Sequence, residues 1–340
     1  MTNKIVVNGR CFARRITGVE RYTREISKRM EPAPRIVMPR KALGQVPGHL
    51  WEQFVLPMQL HQDEILWSPA NAGPWFVRNQ VITIHDASVF DHPEWFRPAF
   101  AAWTRLSWKI LSKRVKVIIT VSEFSRNRLI HHLRISENKI HVIPNGVGKP
   151  FEIQSKRSLD DIQKKYWLDG PYFLFVGTHE PRKNLKTLYQ AWSKKPIADH
   201  KLIIAGTKGI VFAEAISFSG KTDNIKWLGY IPDADLPALY AGATAAIIPS
   251  HYEGFGLTAL EAMACGAPVI ASNTTAFPET VGDAALLINP NDSNSLANAM
   301  QEVSENKGLA ITMRERGLQR TAQFTWEKSA HKTQSLLEGL

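Results

Sequence analysis

Ala245-Ala-Ile-Ile-Pro-Ser-His-Tyr-Glu-Gly-Phe-Gly-Leu-Thr-Ala-Leu-Glu-Ala-Met-Ala-Cys-Gly-Ala-Pro-Val-Ile-Ala271 reads as one strand–loop–helix–strand unit. The apolar run Ala245–Ile248 ends at Pro249 and Ser250. His251 to Gly256 form a loop. Leu257–Ala264 is rich in helix formers and is stopped by Gly266 and Pro268. Gly254 and Gly256 let the backbone turn tightly and approach a ligand without a Cβ clash. The first N–H groups, at Gly256, Leu257 and Thr258, point at an anion, and the helix dipole favours a diphosphate there. Glu253 stands in the loop, and Glu261 lies about 7 Å along the helix axis. Two carboxylates so placed can hold different hydroxyl-bearing parts of one elongated ligand.

Working outward, the same alternation fills the chain. Strands are expected at 4–7, 65–67, 81–84, 117–121 and 140–143, then at 172–176, 202–205, 225–228, 245–248, 269–271 and 285–288. Most are apolar on both faces, as parallel strands covered by helices must be. Helices are expected at 19–30, 98–113, 123–133, 185–194 and 257–264. This βα order predicts an α/β protein with doubly wound sheets. Pro144-Asn-Gly-Val-Gly-Lys-Pro150 is rich in breakers and is followed by a polar stretch to Lys165. It separates two Rossmann-like domains, 1–150 and 160–322, expected to face each other across a cleft, with ligands beyond the C-terminal strand ends.

Charge is unevenly spread. The 340 residues carry a net charge of +11, yet residues 1–150 hold 23 basic against 11 acidic side chains. The N-terminal half therefore suits an anionic partner such as a phosphorylated substrate, nucleic acid or an acidic membrane surface. Cys11 and Cys265 allow no disulfide framework or cysteine zinc site. Neither a signal peptide nor an apolar run of membrane-spanning length is read, so a cytoplasmic location is expected.

The Ser250 to Ser272 stretch resembles the signature of the retaining GT-B glycosyltransferases of group 1, glycosyltransferase family 4, in their mannosyltransferase-like branch. The resemblance implies a GT-B fold and hexosyl transfer from a nucleotide sugar. In that family the first acid contacts the transferred sugar and the second the ribose, roles that fall here to Glu253 and Glu261. The phosphates fall to the amides of Gly256, Leu257 and Thr258.

Gly177-Thr-His-Glu-Pro-Arg-Lys-Asn-Leu185 is similar to the family's Pro-Arg-Lys-Asn element. It assigns Arg182 and Lys183 to the leaving diphosphate. Thr178 stands where many relatives carry Arg, which places more weight on those two cations. Val81-Ile-Thr-Ile-His-Asp-Ala-Ser88 is similar to the His-Asp element, so His85 is expected beside the donor sugar; Asp86 either orients the imidazole or meets the acceptor. Gly18 fits the slot of a diphosphate-facing glycine, while Arg14 and Arg15 either reach phosphate or acceptor or are solvated. Arg126, in a helix capped by Ser122, is an acceptor-side candidate. Trp51-Glu-Gln53 and His92-Pro-Glu-Trp-Phe96 also resemble the mannosyltransferase branch. Phe324-Thr-Trp-Glu-Lys328 resembles the family's last helix, here about 325–340, which crosses back to the N-terminal acceptor domain.

The reaction implied is retaining transfer of a hexose, with GDP-mannose as preferred donor, to a saccharide acceptor that is lipid-linked, in cell-surface polysaccharide synthesis at the inner face of the membrane. A UDP-sugar donor is the alternative within the fold. No cofactor and no metal are expected; Asp233-Ala-Asp235 matches a metal motif of another glycosyltransferase fold but is read as helix capping. A dehydrogenase is disfavoured because no G-x-G-x-x-G follows the first strand, and a P-loop kinase because its motif is missing. A nucleic-acid-binding module is the reading from a different class, permitted by charge but carried by no motif. Pro98 to Arg114, with Trp103, Leu106, Trp108 and Leu111 beside Arg105, Lys109 and Lys113, is either a core helix or a membrane-surface helix.

Overall fold

The computed structural model of the protein describes residues 4–13, 17–207 and 224–340. Arg14 and Arg15 lie outside the described residues. The chain divides into two compact units. The first comprises Met1–Pro93, Pro98–Gly146 and Phe324–Leu340; the second comprises Glu94–Arg97 and Val147–Gln323.

Six strands of the first unit are β1 (Lys4–Asn8), β2 (Arg35–Val37), β3 (Glu64–Ser68), β4 (Gln80–Thr83), β5 (Val117–Thr120) and β6 (Ile140–Val142). They form one parallel sheet in the order β2-β1-β3-β4-β5-β6. Every residue of β3, β4 and β5 is buried, which is why the centres of these strands read as apolar on both faces, with polar residues only at their ends. Strand β2 was not expected. It is three residues long, exposes Arg35 and Ile36, and sits at the sheet edge, so it carries no apolar period to read.

The second unit repeats the plan with β7 (Tyr172–Val176), β8 (Lys201–Ala205), β9 (Ile225–Gly229), β10 (Ala245–Ile248), β11 (Val269–Ser272) and β12 (Leu286–Ile288), ordered β12-β11-β10-β7-β8-β9. The helices Leu185–Lys194 and Ser293–Glu305 bury Leu188, Trp192, Leu296 and Met300 against Phe173, Ile204 and Ile270. Each such side chain contributes about 1.5–3 kcal/mol on leaving water. The polar stretch ending at Lys165 proves to be a helix, Lys156–Lys165, capped by the Ser155 hydroxyl accepting from Ser158 N at 3.2 Å. Ile162 alone among its residues is buried, so its sequence looks like a linker.

The helix Pro98–Arg114 packs on the first unit through Ala101, Trp108 and Leu111, and Trp108 Nε1 donates to Asn71 O at 2.7 Å. The last helix, Trp326–Glu338, also belongs to the first unit. Thr325 caps it, Trp326 is buried, and Ser329 Oγ donates to Pro144 O at 2.6 Å.

Candidate active site

In the second sheet the strand order reverses between β10 and β7. Ligands of such sheets bind beyond the carboxyl ends of the two strands at the reversal. The loop after β7 carries Arg182 and Lys183. The loop after β10 carries Glu253 and leads to Gly256. Topology therefore brings together two loops about which the sequence spoke separately.

Side chains lock the loops to each other. Asn184 adopts φ +55°, and its Nδ2 donates to Pro249 O at 2.9 Å and Pro290 O at 2.7 Å. His251 N donates to Arg182 O at 2.8 Å. Lys183 Nζ reaches Glu253 Oε1 at 2.6 Å, Arg182 Nη1 reaches Glu253 Oε2 at 3.1 Å, and Ser250 Oγ donates to Oε1 at 2.9 Å. Arg182 Nε also lies 2.5 Å from Glu180 Oε1. Burial by itself would push the Glu253 carboxyl up, but Lys183 and Arg182 outweigh it and hold the group at about 2. Glu253 is ionised at neutral pH.

Arg182 and Lys183 do not stand alone as cations: Glu180 and Glu253 balance them into a neutral four-charge cluster. Glu180 and Ser250 were not singled out beforehand. Glu180 lies inside the quoted basic element, but nothing local marks an acid that will fold back on the Arg two positions later.

The helix Leu257–Ala264 opens at Gly256, whose φ is +94°, and a Cβ there would stand 2.8 Å from the Phe277 ring. Only glycine fits both constraints. Amides of a first turn have no acceptor within the helix, and Leu257 and Thr258 remain partly exposed there. Glu261 is 7% exposed. It is a buried acid, and the ordinary picture of a solvated helix glutamate does not apply.

His85 and Gly18 belong to the first unit. His85 follows β4; its backbone N donates to Asn71 Oδ1 at 2.8 Å, and its Nε2 lies 2.9 Å from Pro69 O. A carbonyl only accepts, so Nε2 holds the proton and Nδ1 is the acceptor of the neutral ring. Burial lowers the imidazole pKa, reinforcing the neutral form. Tyr22, on the helix Gly18–Ser27, meets the imidazole edge-on at 4.7 Å, which ties the Gly18 helix to His85. Asp86 Oδ1 accepts from Ser88 N at 2.8 Å and Ser88 Oγ at 2.6 Å, so that oxygen starts the next helical turn. Arg126 pairs with Glu123 and Glu137, each at 3.3 Å.

Asp235 departs from the capping expectation. It precedes the helix Leu236–Ala241, but its Oδ2 accepts from Lys165 Nζ and Tyr166 OH, each at 2.6 Å, and caps nothing. Among the described residues no group of three or more His, Cys, Asp or Glu is placed to hold a metal ion.

Known proteins carry the same pattern. Residues 59–148 match the model described as Glycosyltransferase Family 4, and 159–320 that of Glycosyl transferases group 1. O-antigen chain mannosyltransferase B of Escherichia coli is 35% identical over 281 residues, 80% of this chain and 74% of that protein. The chain belongs to glycosyltransferase family 4. It is a hexosyltransferase of that family. O-antigen chain mannosyltransferase RfbU of Salmonella typhimurium is 30% identical over 67% of the chain and 62% of its own length. Serotype-specific mannosyltransferase WbdA of Escherichia coli is 28% identical, and the chain spans 28% of that longer protein. Sucrose-phosphate synthase from Thermosynechococcus elongatus superposes with a TM-score of 0.75 at 20% identity, covering 98% of this chain and 97% of that one. WaaG, a glycosyltransferase involved in lipopolysaccharide biosynthesis, gives 0.74 at 14% identity, covering 99% and 100%. These two show that this chain has the GT-B fold. No helix among the described residues is long and apolar enough to cross a membrane.

Proposed function

We propose that the protein transfers mannose from GDP-mannose to the hydroxyl of a lipid-linked saccharide, retaining the anomeric configuration, in the synthesis of a cell-surface polysaccharide on the cytoplasmic side of the membrane. Support for mannose comes from the relatives, whose names make them mannosyltransferases of O-antigen chains. The observation that carries the chemistry is the ionised, buried Glu253 held by Lys183 and Arg182 beside the Gly256 helix start.

In this reading Glu253 accepts hydrogen bonds from hydroxyls of the sugar, and Glu261 accepts from the ribose. The bond from the anomeric carbon to the diphosphate oxygen breaks, and negative charge grows on the diphosphate. Amides of Gly256, Leu257 and Thr258, together with Arg182 and Lys183, stabilise that charge, the kind of electrostatic contribution that usually dominates such steps. The acceptor oxygen bonds to the anomeric carbon from the face the diphosphate leaves, and its proton passes to the departing phosphate. No protein base and no metal are assigned. For His85 and Gly18 the support is the family resemblance.

Donor hydrolysis measured across a panel of GDP- and UDP-sugars, with and without excess chelator, tests the proposal. Turnover of GDP-mannose above the others, unaffected by chelator, is expected. Preference for a UDP-sugar would overturn the donor assignment, and loss in chelator the metal-free chemistry.

A further inference from the structure

Between β2 and β3 the backbone runs as one helical rod made of Gln45–Leu50, Trp51–Val55 and Pro57–Gln59. The joints stay helical, with φ/ψ of −57°/−45° at Trp51 and −56°/−46° at Leu56. Its inner side is spent on the fold. Gly48, Glu52 and Leu56 are buried, and Trp51 and Leu60 pack on Val6, Val37 and Leu66. Its outer side is apolar as well: Val46 is 70% exposed, Leu50 54%, Phe54 65% and Met58 85%.

These four side chains recur every four residues. In a regular α-helix each such step drifts about 40° around the axis. Here Leu56 N donates to Trp51 O at 3.0 Å, a five-residue turn that rotates less per residue and opposes the drift. The wide turn thus takes back part of that drift before the tighter turn Pro57–Gln59 that carries Met58. A surface helix normally turns polar residues outward, and an apolar outer stripe marks an interaction surface.

Neighbouring elements widen the stripe. Gln53 Nε2 donates to Gly73 O at 3.0 Å and Gln53 Oε1 accepts from Trp75 N at 2.8 Å, which sets Phe76, 70% exposed, beside the rod. Trp103 of the helix Pro98–Arg114 meets His49 edge-on at 5.4 Å and lies tilted against Trp75 at 5.0 Å, and leaves Leu106 exposed one turn further on. Positive charge borders this surface at Phe76, and the segments that carry it are rich in exposed cations. The Arg114 guanidinium lies 5.1 Å over the Phe76 ring. Arg40, Lys41, Lys109 and Lys113 are exposed. From Pro98 to Ser122 the sequence has five basic residues and no acid.

We propose that this face seats the protein on an anionic phospholipid bilayer, with Val46, Leu50, Phe54, Met58 and Phe76 dipping below the headgroups and the surrounding cations meeting lipid phosphates. An exposed apolar stripe with basic residues around it matches a bilayer that is negative at its surface and apolar beneath. The inference deepens the lipid-linked acceptor reading and rests on it for which membrane is meant, while the contact itself rests on this surface.

Flotation with phosphatidylcholine vesicles, with and without phosphatidylglycerol, tests it on the full chain. Wild type should float with the phosphatidylglycerol vesicles and release as salt rises. The pair Phe54→Asp and Met58→Asp should weaken flotation about tenfold or more. Lys113→Glu with Arg114→Glu should remove the preference for phosphatidylglycerol. Calorimetric GDP binding in the same samples reports folding and the donor site. Failure of wild type to float would overturn the proposal, as would a Phe54/Met58 variant that floats like wild type. A wild-type dimer split by those substitutions, without vesicle binding, would assign the stripe to a second copy instead. Flotation without GDP binding would uphold the surface and sink the donor reading.

Discussion

Lys183 Nζ and Glu253 Oε1 lie 2.6 Å apart across 70 residues of sequence, both buried. They come from the two loops that follow β7 and β10, the strands flanking the reversal of the second sheet. The same pair therefore fastens the sheet's two halves at their carboxyl ends and prepares an ionised carboxylate beside a helix start.

Glu253→Gln separates these duties. The amide fits the space but leaves Lys183 buried without its counter-charge, and such a loss costs roughly 3–5 kcal/mol. Urea unfolding should show a drop of that order. Donor turnover should fall about a hundredfold, the size expected when one preorganised polar group is lost from a reacting centre. Lys183→Met should cost less, because Arg182 still faces the carboxylate.

Acid should act through the same group. The folded carboxyl titrates at about 2 against an ordinary value of 4.5. A depressed acid contributes stability that is complete above pH 4.5 and is lost as pH falls toward 2. The contribution is roughly 3 kcal/mol, from about 1.4 kcal/mol per unit. Urea midpoints measured down this range should fall in wild type and fall less in Glu253→Gln.

His85 is expected to be neutral with its proton on Nε2, fixed by Pro69 O. Nitrogen-15 NMR at neutral pH should show Nε2 protonated and Nδ1 bare. Its folded pKa is lowered, so its contribution is present above the ordinary value of 6.5 and is lost as pH falls below it. His85→Phe should cost about 1 kcal/mol for the lost hydrogen bond and flatten that part of the pH profile.

Gly256→Ala meets two obstacles, a left-handed φ of +94° and the Phe277 ring 2.8 Å from the new methyl. The backbone conformation alone costs about 1–2 kcal/mol. Adding Phe277→Leu removes the ring and should recover the steric part but not the backbone part. Calorimetry should show weakened diphosphate binding in the single variant and partial recovery in the double.

How far the chain could be read follows from what is local. Tyr172–Val176, Ala245–Ile248 and Leu257–Ala264 were legible to the residue because apolar runs stop at Gly177, Pro249 and Gly266. The signature around Glu253 announced the family for the same reason. The ion cluster was not legible, since Arg182 and Glu253 meet only once the sheet order is known. Asp235 misled because an acid before a helix looks like a cap, while its partners Lys165 and Tyr166 lie 70 and 69 residues back. The rod after β2 was missed because apolar residues on both its sides erase the helical period by which amphipathic helices are found.

Gly146 allows the final helix to reach its place in the first unit. A Cβ on it would stand 2.2 Å from Trp326 N and 2.4 Å from Thr325 C, both backbone atoms that no rotamer change can move. Gly146→Ala must therefore displace the start of the helix Trp326–Glu338, unseating buried Trp326 and the Ser329 bond to Pro144 O. Overpacking of this kind costs about 3 kcal/mol, and limited proteolysis should release the C-terminal helix early. Gly229→Ala is the control. Its φ of +68° brings strain, but nothing lies within 4 Å of the new methyl, so a loss of about 1 kcal/mol without early proteolysis is expected. Equal effects of the two substitutions would mean that close approach at Gly146 is not what holds the helix.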